Sequence, residues 1–235
     1  MSEDIKKVKR RLVVLTGAGM SAESGIATFR DSGGLWEQHP VEEVATPEGF
    51  RTNPELVLRF YNERRRQLLA TKPNAGHYGL AELEEDFDVD IITQNIDNLH
   101  EQAGSTKVLH LHGELMKSRS TGNESAVYDI DPENCDIKIG DKCEKGFQLR
   151  PHIVWFGEAV PMMFQAEDIV RNADIFVIIG TSMNVYPAAG LLSDVKSHVS
   201  IYLIDPKDVV IKRSGVKHLK MGASDGVKEL KKFLL

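Results

Sequence analysis

Residues able to do chemistry stand at four places in this 235-residue chain. Gly17, Ala18 and Gly19 follow an apolar run at once, and Ala22 stands where a G-x-G-x-x-G/A fingerprint has its third small residue. Glycines that turn a strand tightly into a helix leave backbone N–H groups bare, and the helix dipole favours an anion there. The expectation is a dinucleotide pyrophosphate on residues 17–21; the plainer alternative is a tight connection that binds nothing. Asn95 and Asp97, in Gln94-Asn95-Ile96-Asp97-Asn98, can touch the same ligand, cap the following helix, or both. His110 and His112 are two apart. They read as a metal pair lacking further ligands, as packed structural histidines, or, for His112 before Gly113, as a general base near neutrality. Tyr61 and Arg64 lie three apart on a helix, on a face that reads as solvated because Arg65 and Arg66 follow.

The elements that must position these residues alternate between strand and helix. Residues 12–15 read as a buried parallel strand. Gly25 then comes too early for an uninterrupted helix, and Phe29, Arg30, Asp31, Gly33, Gly34 and Trp36 form a polar, aromatic loop that reads as a functional flap. Residues 42–75 read as helical, with Pro47 near one start and Asn53-Pro54 as cap and first turn of the next. A helix over 75–84 precedes a strand over 89–93 and another over 107–113. Residues 114–150 are polar and turn-rich and read as an insertion outside the main sheet. Strands follow at 153–156, 174–179 and 201–204. Helices are expected at 164–171, from Tyr186-Pro187-Ala188-Ala189, and at 225–234. This alternation predicts an α/β parallel sheet, with ligands outside the carboxyl ends of its strands. A common dehydrogenase would place an acid after the second strand; none is visible there.

Composition narrows the classes. Net charge is −6, so no global field favours nucleic acid. No apolar run approaches the roughly 20 residues that cross a bilayer, and the start lacks an apolar signal region. Cys135 and Cys143 give no disulfide framework, which fits a cytoplasmic setting. Neither nucleic acid nor membrane is expected as a partner.

Taken together, GAGMSAESGIATFR (17–30), TQNIDNLH (93–100), LHLHGEL (109–115), VWFGEAVP (154–161) and GTSMNVYPAAG (180–190) resemble the sirtuins, NAD-dependent protein-lysine deacylases. The motifs occur in the family's order across nearly the whole chain. The resemblance implies a Rossmann-like parallel-sheet domain, about 1–31, 75–113 and 151–235, with a smaller lobe formed by two insertions, about 32–74 and 114–150. It implies a cofactor site of Gly17, Ala18, Gly19, Ser21, Glu23, Phe29, Arg30, Trp36, Gln94, Asn95, Ile96, Asp97, Gly180, Thr181, Ser182, Asp205 and Ala223. His112 would be the general base, with Asn95 and Asp97 positioning nicotinamide and ribose. Val154, Trp155, Phe156, Gly157 and Glu158 would offer a strand edge to an acyl-lysine peptide, with Val185 nearby. NAD would be consumed, giving free lysine, nicotinamide and O-acyl-ADP-ribose. ADP-ribosyl transfer to protein and non-enzymatic ADP-ribose binding are the alternatives.

Three departures from the family pattern carry information. The four-cysteine zinc site is missing: residues 117–121 hold no cysteine, Cys143 has Gly146 in place of its partner, and no zinc is expected. Ala27-Thr28 replaces a common Pro-Asp, and Asp205 replaces a common Asn. Tyr61 and Arg64, with Ala45 upstream leaving room, match the acyl pocket of desuccinylase-type members. Succinyl and malonyl groups are therefore the expected substrates, with acetyl second.

Overall fold

The computed structural model describes residues 8–28 and 39–235. Strand β1 (Arg11–Thr16) is its centre: Leu12 through Leu15 are fully buried. Helix α1 (Ala18–Ala22) follows and stops before Gly25, whose φ of 90° lies in the left-handed region. Helices α2 (Val41–Val44), α3 (Pro47–Thr52) and α4 (Pro54–Leu69) come next. The last two each begin on a proline, and the side chains of Thr46 and Asn53 accept from the N–H groups of Gly49 and Leu56. Helix α5 (Ala75–Glu82) is closed by a reciprocal cap between Asn74 and His77. Then follow β2 (Asp88–Thr93), α6 (Leu99–Gln102), β3 (Val108–His110), β4 (Gly113–Ser120), β5 (Val127–Asp129), β6 (Leu149–Ile153) and α7 (Met163–Arg171). Strands β7 (Ile175–Ile179), β8 (Ser200–Ile204) and β9 (Val216–Leu219) precede α8 (Ala223–Leu234).

Six strands form one sheet in the order β3-β2-β1-β7-β8-β9, and every neighbouring pair is parallel. The order reverses between β1 and β7, so a crevice opens at their carboxyl ends. Side chains alternate across β1. Leu12 and Val14 join one core cluster with Leu80 and Leu230, while Val13 and Leu15 join the other with Val170 and Leu191. Both faces are thus covered, as an all-parallel sheet requires. A second, antiparallel sheet has the order β5-β4-β6, and a third core cluster joins Val57, Phe60 and Tyr61 of α4 to Leu115 and Ile153 of that sheet. Among the described residues no helix is long and apolar enough to cross a membrane.

Several expectations shift. The strand expected over 107–113 ends at His110. Gly113, at φ 83°, starts the antiparallel sheet instead, and a side chain there would run into the His152 carbonyl. The insertion holds that sheet and reaches past 114–150 at both ends. The strand expected over 153–156 lies earlier, as β6. Beyond Ile153 the chain turns, because the Glu158 carboxylate accepts from the Trp155 N–H at 2.8 Å. The helix expected after Tyr186 is a 3₁₀ stretch over Ala188–Asp194. Edge strand β9 is short and mixed in polarity, and its pattern gave no signal. Arg65 is not on a solvated face: it is fully buried, donating to the carbonyls of Leu115 and Cys135.

Candidate active site

One cavity of about 650 Å³ runs along the carboxyl ends of β1, β2, β7 and β8. Its floor is where two glycine turns meet. The Gly17 N–H donates to Ile179 O at 3.0 Å and the Gly19 N–H to Gly180 O at 2.9 Å. Those two N–H groups, expected to be bare, are spent closing the turns on each other. No side chain fits between them: a Cβ on Gly19 would sit 2.6 Å from the Gly180 Cα, and one on Gly17 2.8 Å from the Gly180 O. Gly180 itself has φ of 61°. Gln94 spans the same crevice, its Nε2 donating to Thr181 Oγ1 at 3.0 Å.

Beside the turns lies a buried polar cluster. Asn95 donates to Gly17 O at 3.0 Å and Ser21 Oγ at 3.1 Å. The Ser21 hydroxyl donates to Asp97 Oδ2 at 3.0 Å, and Asp97 Oδ1 accepts from the Leu99 N–H. Asp97 therefore satisfies the first N–H of α6, just before its N-cap Asn98, as well as lining the cavity. Burial pushes its pKa above the ordinary value, against these two hydrogen bonds.

The two histidines part company. His112 Nδ1 lies 3.0 Å from Gln94 O. A carbonyl only accepts, so Nδ1 carries the proton and Nε2 keeps its lone pair, in a residue that lines the cavity. Burial lowers the His112 pKa, and the Gln94 bond offsets this only in part. His110 has acceptors on both nitrogens, Asn95 O at 3.1 Å and Glu101 Oε1 at 2.7 Å. Burial opposes its charge, but the Glu101 hydrogen bond and charge outweigh it and the pKa rises. His110 is thus a structural ion-pair member, and the two-histidine metal pair does not form. Among the described residues no three His, Cys, Asp or Glu groups come together as a metal site. In the region of the family's zinc cysteines, Ser120 Oγ instead meets Cys143 Sγ at 3.2 Å, so the residues do not fit that metal.

Ala45, Tyr61 and Arg64 line the same cavity. The Arg64 guanidinium donates to Phe60 O at 3.0 Å and stacks 4.1 Å over the Phe60 ring, while its Nε is buried without a partner. Burial lowers its pKa. The Tyr61 hydroxyl accepts from Trp155 Nε1 at 3.0 Å.

The cavity gathers nearly every expected site residue. Gly17, Ala18, Gly19, Ser21 and Glu23 line it, as do Gln94, Asn95, Ile96, Asp97 and His112, Gly180, Thr181, Ser182, Val185 and Asp205, and Val154, Trp155, Phe156, Gly157 and Glu158. Ala223 sits in the core instead, and its neighbour Gly222 faces the cavity. Phe29, Arg30 and Trp36 lie outside the described residues. The edge expected at 154–158 is not a free strand. The Val154 N–H donates to His112 O and the Phe156 N–H to Ala45 O, both at 2.9 Å. The Glu158 carboxylate is held by Arg150 at 2.7 Å and Arg119 at 2.9 Å. Those two arginines gave no sequence signal, because they stand in a polar stretch without periodicity.

The Sir2 family profile matches residues 17–187. A relative from Bacteroides thetaiotaomicron, named NAD-dependent protein deacylase, is 60% identical over 230 residues, covering 96% of this chain and 98% of its own. One of the same name from Helicobacter pylori strain 26695 is 54% identical over 198 residues, covering 84% and 85%. Among solved structures, a mutant Sir2 homologue bound to ADP-ribose superposes with a TM-score of 0.86 at 38% identity, covering 96% of this chain and 94% of that one. A Sir2 homologue–NAD complex gives 0.84 at 38%, covering 97% and 91%. With most of its length matched at this level, the chain belongs to the Sir2 family.

Proposed function

We propose that this protein is an NAD-dependent protein-lysine deacylase that removes succinyl and malonyl groups, and acetyl groups less efficiently. One observation carries the reading. A single cavity is lined together by the Gly17–Gly180 turns, the proton-accepting His112 and the Tyr61/Arg64 pair. Relatives bear the name NAD-dependent protein deacylase, and structural neighbours hold NAD or ADP-ribose, which supports the same use of the glycine turns.

In this reading NAD binds as co-substrate and supplies an electrophilic ribose carbon with nicotinamide as leaving group. The chain's own residues supply position and proton transfer. The glycine turns let a pyrophosphate approach the backbone. Asn95 and the Ser21–Asp97 pair fix the ribose end, so the acyl-lysine carbonyl meets it in line. His112 Nε2 would accept a proton from the ribose hydroxyls, which would let the acyl group pass to that sugar as its C–N bond to lysine breaks, the amine leaving and one water completing the balance. Arg64 offers a planar fork and Tyr61 a hydroxyl to an acyl chain ending in a carboxylate. In this scheme α4 and the antiparallel sheet belong to the smaller lobe, supported by the core cluster that joins them. The proposed setting is the cytoplasm, where Cys135 and Cys143 stay reduced.

The deciding assay offers matched succinyl-, malonyl- and acetyl-lysine peptides with NAD, read by mass spectrometry. O-acyl-ADP-ribose should form with nicotinamide, one for one. Arg64→Met should lower the succinyl-to-acetyl ratio of kcat/KM about tenfold or more, the loss of a charge-assisted contact of about 1.5–3 kcal/mol. An unchanged ratio overturns the acyl assignment. ADP-ribose left on protein, with no O-acyl product, would favour the transferase alternative. The lobe is proposed to work without zinc, and one zinc per chain in metal analysis of the purified protein would refute that.

A further inference from the structure

We infer that Trp155 is a specificity-positioning residue: its indole N–H fixes Tyr61 as the hydrogen-bond donor of the acyl pocket. The inference rests on the proposed carboxylate-ended acyl substrate and adds a residue outside the Tyr61/Arg64 pair. Trp155 Nε1 lies 3.0 Å from the Tyr61 hydroxyl, and both side chains are buried, at 2% and 3% exposure. An indole nitrogen has a proton and no available lone pair, so it can only donate. The phenol oxygen must therefore accept, and its own proton cannot be committed to Trp155. A carboxylate accepts only, so a phenol whose proton is turned away from its protein partner is matched to it. The accepted bond also polarises the phenol O–H in a buried setting, which strengthens what it donates.

The indole is itself held from two sides. The Arg150 guanidinium lies 3.3 Å from the centre of its ring, and the Glu158 carboxylate takes the Trp155 backbone N–H at 2.8 Å. Glu158 in turn is gripped by Arg150 and Arg119. This brace leads from the antiparallel sheet to the hydroxyl of Tyr61 on α4. It gives the buried arginine–glutamate network a role that a peptide edge at 154–158 does not require. Phenylalanine in place of Trp155 would keep a ring against Phe50 and Arg150 but lose the donor.

The experiment compares Trp155→Phe, Tyr61→Phe and the double variant on succinyl- and acetyl-lysine peptides. Trp155→Phe should raise the KM for the succinyl peptide about fivefold more than that for the acetyl peptide, with the two kcat values changing in parallel. That is the scale of one neutral hydrogen bond. On a Tyr61→Phe background, Trp155→Phe should add nothing to the succinyl-to-acetyl ratio. Equal effects of Trp155→Phe on both peptides, or full additivity with Tyr61→Phe, would overturn the inference. A readout on unmodified protein covers a variant that fails to fold. The chain has two tryptophans, Trp36 and Trp155. The Trp155 indole N–H resonance, assigned by its loss in Trp155→Phe or its shift in Tyr61→Phe, should move further on adding succinyl-lysine peptide than on adding acetyl-lysine peptide. A resonance indifferent to the acyl group again overturns it. If Arg64→Met abolishes the succinyl preference while Trp155→Phe leaves it intact, only the Trp155 role falls. If Arg64→Met also leaves it intact, the acyl reading falls with it.

Discussion

His112 shows how little a base needs beyond one well-chosen hydrogen bond. The Gln94 carbonyl fixes the tautomer, and burial keeps the ring neutral by lowering its pKa from the ordinary 6.5. The active form is the unprotonated ring, so activity is lost on the acid side. We expect kcat/KM to be flat above pH 7 and to fall below an apparent pKa under 6.5. His112→Ala should cost about 10²–10⁴-fold in turnover. An acid limb centred above pH 7, or a His112→Ala enzyme of normal rate, would exclude this role. The neighbouring His110 carries the opposite lesson. In sequence it is the same residue type two positions earlier, and Glu101, nine residues away, ties it into a structural hydrogen bond and raises its pKa. Arg65 was hidden in the same way. Its partners, Leu115 O and Cys135 O, come from chain 50 and 70 residues downstream, and no local pattern distinguishes it from the exposed arginine that follows.

The decisive element is the pair of strand-to-turn junctions at β1 and β7. Their glycines were legible in sequence as a phosphate turn; what was not legible is that the two turns touch. That contact depends on β1 and β7 being neighbours, a matter of strand order. Gly19→Ala would push a methyl group to 2.6 Å from the Gly180 Cα, so the turns must separate. The expected result is a loss of about 1–3 kcal/mol in urea unfolding, the usual cost of overpacking, together with weaker NAD binding by calorimetry. Gly190→Ala is the control, because a Cβ there meets open space. It should stay within about 0.5 kcal/mol of the wild type. Equal behaviour of the two variants would mean that the turns are not held as tightly as their backbone bonds imply. Elements with strong periodicity or caps, such as β1, α4 and β7, fell where expected. Those that failed were set by tertiary demands. The break at His110 comes from Gly113 joining the second sheet, and the end of β6 at Ile153 from the grip of Glu158 on the next turn.

Across the whole molecule, the histidines make stability depend on pH in a direction that can be worked out. His77 and His100 lie against each other with ring centres 4.8 Å apart, and both are almost wholly buried. His100 Nε2 also meets the Thr16 hydroxyl at the end of β1, at 3.1 Å. Burial lowers His77 to about 4 and His100 well below its ordinary value. Below pH 6.5 the unfolded chain takes up protons that these two refuse in the folded state. The unfolded state then binds more protons, so stability falls as pH falls. His110 works the other way, because its raised pKa contributes stability that is present in acid and lost as pH climbs through that value. His112 and His152 are lowered by burial as well, so four lowered histidines stand against one raised. Stability should therefore drop between about pH 7 and pH 5, with the proton refused by His77 alone contributing about 2 kcal/mol at about 1.4 kcal/mol for each pKa unit. Urea unfolding across that range measures it, and His77→Gln should flatten the slope by close to one proton. A stability that stays level or rises toward acid would mean that the pair takes up a proton inside the fold. Burial would then not be what holds these rings neutral.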